Sequence, residues 1–466
     1  MAPRHFRHDQ PVRNFRYVRN ADALLAHGNA ELRRDALTIL DRVLEDVNPF
    51  AFSRQAVRLG DGCLFVGDDL RLPLAASARI WFFGAGKASF QIARGVEEAL
   101  GDRLAGGLVV CKEGQKGSLQ RIDVQHARHP IPSEASVLAA RAMLERAASV
   151  TAGDIVLCGM TGGSSALLTL PCTGLTLQDV QSLTETLLTC GADIFEINAV
   201  RKHLSDVGGG RLAQAFPSRS QLVNLTVSDV IGDALDYITD PTVPDTSTIA
   251  DARATFDKYN LWERVSPNVK AFVDAGGGIT ETPKTLPWPE HQTITLLSSR
   301  SAVDAAQRAA EALGYRAIVL SSSFDGDSQA LGQAFAAIAR EIAFYGQPLR
   351  PPCAVIGGGE TIVRMDGFAG LGGPNQEFAL AGACQLPADR LAVMLGADTD
   401  GTDGPTKIAG ALCDATTAAR ARELGIDIRE ALLRHNASLA LVQLGDAVLT
   451  GPTETNVNDL KLMLLR

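Results

Sequence analysis

The sequence predicts an α/β protein of two domains, and three observations carry the prediction. The chain has 466 residues, more than one hydrophobic core usually supports. Fully apolar runs such as Ile80-Trp81-Phe82-Phe83, Leu108-Val109-Val110-Cys111 and Ile155-Val156-Leu157-Cys158 alternate with helical stretches, the pattern of a parallel sheet covered on both faces. Loops of glycine, serine and threonine follow these runs, as strand-to-helix turns do in such sheets.

Residues 1–28 read as an N-terminal extension, the first twenty basic, aromatic and irregular. Asn29 is an N-cap for a helix bearing Leu32, Ala36, Ile39, Leu40, Val43 and Val47 at helical spacing. It opens an N-terminal α/β domain over 29–275. In that domain Ile80-Trp81-Phe82-Phe83 leads into a helix over about 87–100, and Leu222-Val223-Asn224-Leu225-Thr226-Val227 leads into Ser228-Asp229. Residues 276–291, rich in Gly, Thr and Pro, predict a linker. A smaller α/β domain spans 292–466. It has strands at 293–297, 317–320, 354–356 and 391–395, and a helix with Val303, Ala306, Ala310 and Leu313 on one face. Heptads and tandem repeats are absent from the sequence.

The net charge of −9 argues against a nucleic-acid binder. Of the eight cysteines, the nearest pair, Cys158 and Cys172, lies 14 residues apart, so no zinc-type doublet exists. Buried, reduced thiols of a cytoplasmic protein are the expectation. The N-terminus lacks an apolar signal region, and no run approaches the ~18 apolar residues of a membrane span. The sequence predicts neither a secreted nor a membrane protein.

The chemistry sits in the loops. Gly84-Ala85-Gly86-Lys87-Ala88-Ser89 has three readings. It fits the first turn of a dinucleotide fold, with Glu113 near the place of a ribose-binding acid, although Ser89 replaces the third glycine and Lys87 intrudes. It fits an ordinary strand–helix turn, and it lacks Walker A spacing. Or Lys87 points from a helix start into a phosphate site as a movable charge. Thr161-Gly162-Gly163-Ser164-Ser165 lacks the Gly-x-Ser-x-Gly of serine hydrolases, and its hydroxyls suit phosphate oxygens. His126 and His129 flank a proline-rich turn and read equally as structural or catalytic. Asp229 with Asp233, and Asp398, Asp400 and Asp403, resemble ligands of Mg²⁺, though aspartate is also a common turn residue. Arg201 and Lys202 are adjacent cations in a helical stretch, where a solvated face is the ordinary reading.

Taken together, these segments are more specific. Residues 84–89 and 161–167, Asn198-Ala199-Val200-Arg201-Lys202-His203-Leu204-Ser205 and Ser228-Asp229-Val230-Ile231-Gly232-Asp233 resemble the N-terminal half of the D-glycerate 2-kinase family. Gly357-Gly358-Gly359-Glu360-Thr361, Gly373-Pro374-Asn375-Gln376-Glu377, residues 400–406 and Thr453-Glu454-Thr455-Asn456 resemble its C-terminal MOFRL domain. The resemblance implies a Rossmann-like N-terminal domain, a smaller α/β domain and an active site in the cleft between them. It implies ATP and Mg²⁺ as cofactors, a small-molecule acceptor, and transfer to a hydroxyl of glycerate. Lys87, Asp229 and Arg201 would then be catalytic, and Asp233 with Asp229 would hold the metal. Gly84, Gly86, Gly162, Gly163, Ser164, Ser165, Gly357, Gly358, Gly359 and Glu360 would hold the nucleotide. Asp240, Arg300, Asn375, Glu377, Asp400 and Glu454 would line the acceptor. A homodimer is the base-rate expectation for assembly.

The departures from the family pattern fall in the same loops. Pro374 stands where the family has arginine, and Asp240 and Glu454 add anions. Arg128, Arg300 and Lys407 are cations at other changed positions. Losing a guanidinium removes a bidentate partner for carboxylate or phosphate. The sequence therefore predicts an altered acceptor pocket that handles D-glycerate poorly compared with a neutral, larger or amino-bearing acceptor. Two alternatives stand beside it. One is a family member acting on a phosphorylated or carboxylated metabolite without ATP as donor, and the other is an NAD-dependent hydroxypyruvate-type reductase.

Overall fold

The computed structural model describes residues 15–228, 241–275, 281–288, 292–364, 367 and 370–466. The chain divides into two compact units. One comprises Asn48–Ser298 with Glu454–Val457, and the other comprises the chain through Val47, Ser299–Thr453 and Asn458–Arg466.

The first unit begins with a small antiparallel sheet of β1 (Val57–Gly60), β2 (Cys63–Val66) and β3 (Leu70–Pro73). Its main sheet contains β4 (Ile80–Ala85), β5 (Leu104–Lys112), β6 (Ile122–Ala127), β7 (Ile155–Met160), β8 (Gln221–Val227) and β9 (Thr293–Leu297). The strand order is β6-β5-β4-β7-β8-β9, and each neighbouring pair is parallel. Every residue of β4 and β7 is buried, because a central parallel strand has helices or loops on both faces. The order builds outward from β4 in one direction and then restarts at β7 in the other. Such a reversal opens a crevice at the carboxyl ends of the two central strands, the usual ligand position in doubly wound sheets. Sequence patterning missed β6, whose Asp123, Gln125 and His126 interrupt the apolar run. Among the described residues it is an edge strand, paired with β5.

The second unit holds β10 (Arg316–Phe324), β11 (Cys353–Gly359), β12 (Ala392–Asp398), β13 (Gly410–Asp414), β14 (Ala447–Val448) and β15 (Asp459–Leu465), in the order β10-β11-β15-β12-β13-β14. β15 is the last strand in the chain yet lies inside the sheet. It runs antiparallel to both neighbours, with Leu462 opposite Ile356 and Leu395. The sheet packs on the helix Pro374–Ala383, whose residues after the first are all buried. Among the described residues, no helix is long and apolar enough to cross a membrane.

The unit boundaries differ from the predicted ones at both ends. β9 belongs to the first sheet, where Leu225 pairs with Ile294, so the boundary falls at Ser299 rather than at 292. The helix Ala30–Asp46 belongs to the second unit rather than to an N-terminal domain over 29–275. Asn29 caps it as predicted, accepting from the Leu32 N–H. Its buried face carries Leu32, Leu37, Ile39, Leu40 and Val43, and also Arg33. The Arg33 guanidinium is fully buried and bonds Asp414 at 2.9 Å and Asp446 at 2.7 Å. Part of the predicted extension is also held. The backbone N–H of Arg19 donates to Leu449 O, and the Asn20 side chain donates to Ala447 O.

Arg33→Met should leave two carboxylates facing each other without their shared cation. The expected cost is about 3–5 kcal/mol in the unfolding of this unit, read as a lowered midpoint in thermal or guanidinium melts. A shift corresponding to less than ~1 kcal/mol would show that the network contributes no more than a surface pair.

Candidate functional site

The β4 and β7 loops meet at the point where the strand order reverses. Gly86 has φ +138°, and a β-carbon there would lie 2.1 Å from Thr161 Oγ1 and 2.6 Å from Thr161 O. Only glycine permits that approach. The contact is fastened by hydrogen bonds from Thr161 N–H to Ala85 O (3.0 Å) and from Lys87 N–H to Gly162 O (3.0 Å). The Thr161 hydroxyl accepts from Ala88 N–H at 3.2 Å and lies 3.2 Å from the Ser89 hydroxyl.

This fastening changes the role of the first glycine loop. The N–H groups of Gly86, Lys87 and Ala88 are spent on Val110 O, Gly162 O and Thr161 Oγ1, so they do not form a phosphate cradle. Gly84 and Gly86 serve close packing. A β-carbon at Gly84 would meet Gly159 O at 2.9 Å. The second loop differs. Among the described residues, the backbone N–H groups of Gly162, Gly163 and Ser165 donate to no acceptor. Gly163, at φ +88°, precedes the short helix Ser164–Leu167. A β-carbon on Gly163 would come 2.9 Å from the His129 ring and 3.6 Å from Lys87 Cγ. Lys87, His129 and Gly163, from the loops after β4, β6 and β7, therefore converge around open amides, an arrangement suited to an anion. His129 was legible only as an ambiguous histidine. The available signal was its place two residues after an unrecognised strand.

The helix Ile194–His203 ends in three consecutive basic residues. Lys202 is buried and bonds Asp245 at 2.9 Å. His203 is buried, with Nδ1 2.6 Å from Ala199 O and Nε2 2.5 Å from Glu281. The Glu281 carboxyl is held down at about 2, its burial outweighed by N–H donors from Ile249 and Thr282 and by His203. Arg201 is partly buried and lines a cavity with Pro132, Ser165, Leu204 and Ser205. Burial lowers its guanidinium to about 10, so it stays a cation at neutral pH. The solvated-face reading of Arg201 and Lys202 is thus overturned for Lys202.

Several residues assigned to ligands from the sequence have other work in the second unit. Gly357 and Gly359 let β11 lie against Phe324, and Gly358 lies against Ser299 and Val303. Their β-carbons, for 357, 359 and 358 in turn, would come within 2.7, 2.2 and 2.8 Å of these neighbours. Asn375 is fully buried and bonds Asp403, Asp459 and Lys461. Glu377 is buried against Gln329 (2.7 Å) and His435 (3.0 Å), and burial raises its carboxyl above the usual range. Asp400 accepts from Thr402 within its own turn. Arg300 lies exposed and pairs with Asp304 at 2.7 Å. Glu360 is exposed. Pro374 occupies the first turn of its helix, where a missing N–H costs nothing. In the first unit, the Glu454 carboxylate accepts from the Gln91 and Gln115 amides. Asp229, Asp233 and Asp240 lie outside the described residues. Among the described residues, no three His, Cys, Asp or Glu side chains gather as a metal site. Asp403 turns inward to Asn375 and Gln376 rather than toward Asp398 and Asp400.

Two family models match the chain: a domain of unknown function, DUF4147, over 35–274, and the MOFRL family over 353–459. The chain is 36% identical to a glycerate 2-kinase of Pyrococcus horikoshii, over 93% of this chain and 98% of that protein. The crystal structure of a glycerate kinase from Thermotoga maritima superposes with a TM-score of 0.80 at 35% identity, covering 94% of this chain and 100% of that one. A protein of Agrobacterium vitis provisionally named hydroxypyruvate reductase is 38% identical, over 82% of this chain and 98% of its own.

Burial, with Asp459 nearby, raises the Asp403 carboxyl from 3.8 to about 6. The folded state therefore keeps this proton to a higher pH than the unfolded chain. Its contribution to stability is full below about pH 4 and is lost as pH rises through 6, on the order of 3 kcal/mol in total. Asp403→Asn should flatten that slope in urea unfolding measured across about pH 4–6. An unchanged slope would mean that Asp403 titrates as an ordinary carboxyl.

Proposed function

We propose, since this chain belongs to the glycerate 2-kinase family, that it transfers the γ-phosphoryl group of ATP, with Mg²⁺, to a hydroxyl of glycerate or a closely similar hydroxy acid. The single observation that carries the local mechanism is the convergence of Lys87 and His129 on the open amides of Gly162, Gly163 and Ser165. Phosphoryl transfer needs positioning and charge neutralisation more than covalent help. The amides are fixed by the loop geometry, so they need no reorganisation as charge develops. Lys87 adds a movable ammonium from the loop after β4, and His129 bounds the same space from the loop after β6. Ser164 and Ser165, assigned to the nucleotide from the sequence, follow in the same loop, where the Ser165 backbone N–H is one of the open amides.

When bound, Mg²⁺ would neutralise phosphate charge, and Asp229 with Asp233 are the residues we assign to it. The donor set fits a cation that arrives on a nucleotide, because Mg²⁺ keeps several waters and asks the protein for one or two carboxylates. Asp229 directly follows Ser228, whose N–H is fixed to Leu297 O at 2.9 Å.

The strand order alone would also suit a dinucleotide reductase, the chemistry in the Agrobacterium protein's name. Glu454 speaks against it. Gln91, in the first turn of the helix Ser89–Leu100, and Gln115, beyond β5, hold its carboxylate. In a dinucleotide fold those two places belong to the pyrophosphate and the adenosine ribose. The same bonds weaken the expectation that Glu454 repels an anionic acceptor, so we assign a hydroxy acid rather than a neutral polyol.

Lys87→Ala should keep the wild-type melting temperature and lose about 10²- to 10³-fold in kcat, about 3–4 kcal/mol, in a coupled assay of D-glycerate phosphorylation. Excess chelator should stop the wild-type reaction. Near-normal turnover of the variant would remove Lys87 from the mechanism, and full turnover in chelator would reject the metal. A nicotinamide absorbance change with hydroxypyruvate, without ATP consumption, would favour the reductase.

A further inference from the structure

Arg201 stands apart from the basic residues around it. Lys202 is neutralised by Asp245, and His203 faces Glu281. The carbonyl groups at the end of their helix are taken by Arg211, which bonds Lys202 O at 2.9 Å and Ser205 O at 2.8 Å. Lys284 is engaged as well, donating to Ser247 O and to the Thr282 hydroxyl. Among the described residues, Arg201 has neither an ion pair nor a hydrogen bond, and burial alone displaces its pKa. A cation partly withdrawn from water without a partner is unfavourable for folding, so its presence at a cavity favours an anion that arrives from outside.

The cavity before it has the chemistry for one. Leu168, Leu183 and Leu204 make its walls apolar, and Ser165 and Ser205 line it together with Arg201. Ser205 Oγ already accepts from the Gly208 N–H at 3.1 Å, which leaves its own proton to donate. The cavity volume of about 30 Å³ is room for roughly two or three water-sized groups. That is the size of a carboxylate with little else, and far below a nucleotide. Its location is equally specific. Ser165 belongs to the loop that carries Gly163, and Pro132 belongs to the turn that carries His129. The cavity and the Lys87 site thus share two loops.

We propose that Arg201, with the Ser165 and Ser205 hydroxyls, seats the carboxylate of the acceptor and so selects small 2-hydroxycarboxylates over neutral alcohols. The assignment rests on the kinase reading for the identity of the acceptor and makes Arg201 a binding rather than a phosphoryl-stabilising residue. It gives the chain a cation of the kind that Pro374 removes, and it reverses the expectation of a neutral acceptor.

The test uses the full chain, with D-glycerate and its neutral amide, glyceramide, as probes. Calorimetric binding without ATP and steady-state kinetics with ATP and Mg²⁺ are measured for wild type, Arg201→Met and Arg201→Lys. Arg201→Met should weaken D-glycerate binding and raise its KM by about 30-fold, the size of one charge-assisted contact. Its kcat should change little, the KM for glyceramide should be unchanged, and Arg201→Lys should restore part of the loss. The melting temperature of Arg201→Met should equal or exceed that of wild type, because an unpaired buried charge is gone. Unchanged D-glycerate binding and KM in Arg201→Met, or equal losses for the acid and the amide, would overturn the proposal. Wild type that binds D-glycerate through Arg201 without phosphorylating it would fail the kinase reading and keep the carboxylate seat. Normal D-glycerate kinetics in Arg201→Met would do the reverse.

Discussion

The approach of Gly86 to Thr161 is the constraint on which the candidate site depends. With 2.1 Å between a notional β-carbon and the threonine hydroxyl, the loops after β4 and β7 are locked face to face. The lock consumes the N–H groups of Gly86, Lys87 and Ala88, while those of Gly162, Gly163 and Ser165 have no acceptor among the described residues. It also sets where Lys87 leaves the backbone. A turn that resembles a phosphate loop in sequence thereby becomes a buttress, and in the proposed function its neighbour is the cradle.

The parallel sheet of the first unit was legible because its central strands are apolar throughout. Ile80-Trp81-Phe82-Phe83 and Ile155-Val156-Leu157-Cys158 fall within β4 and β7. The edge strand β6 was not legible, since one exposed side lets Asp123 and Gln125 interrupt the pattern. β15 escaped for a different reason. Its Lys461 is fully buried in a strand of otherwise mostly apolar residues, and it is stabilised by Asn375 and Asp459. A buried lysine reads as a surface residue until its partners, drawn from 86 and 2 positions away, are known. The same limit hid the true home of the helix Ala30–Asp46. Its apolar stripe showed that it packs, while the choice of partner rests on Arg33 reaching Asp414 and Asp446.

Site residues were legible as segments more than as roles. The glycine at 163 and the lysine at 87 do stand together, yet Asn375 and Glu377 from an equally distinctive motif are interior hydrogen-bonding groups. Sequence spacing cannot separate a polar residue that faces a ligand from one that satisfies a buried carboxylate such as Asp403, because both require the same side chains at fixed positions. Arg201 is the converse case. Its functional reading comes from the absence of a partner among the described residues, a property that no motif encodes.

The central claim, that the loop after β7 rather than the glycine turn after β4 receives the transferred phosphoryl group, is tested most directly by a crystal structure with D-glycerate, Mg²⁺ and a non-hydrolysable ATP analogue. The account predicts the terminal phosphate on the amides of Gly162 and Gly163 with Lys87 Nζ in hydrogen-bond contact. A terminal phosphate held by the backbone of residues 84–88, with Gly162 and Gly163 away from the ligand, would contradict it.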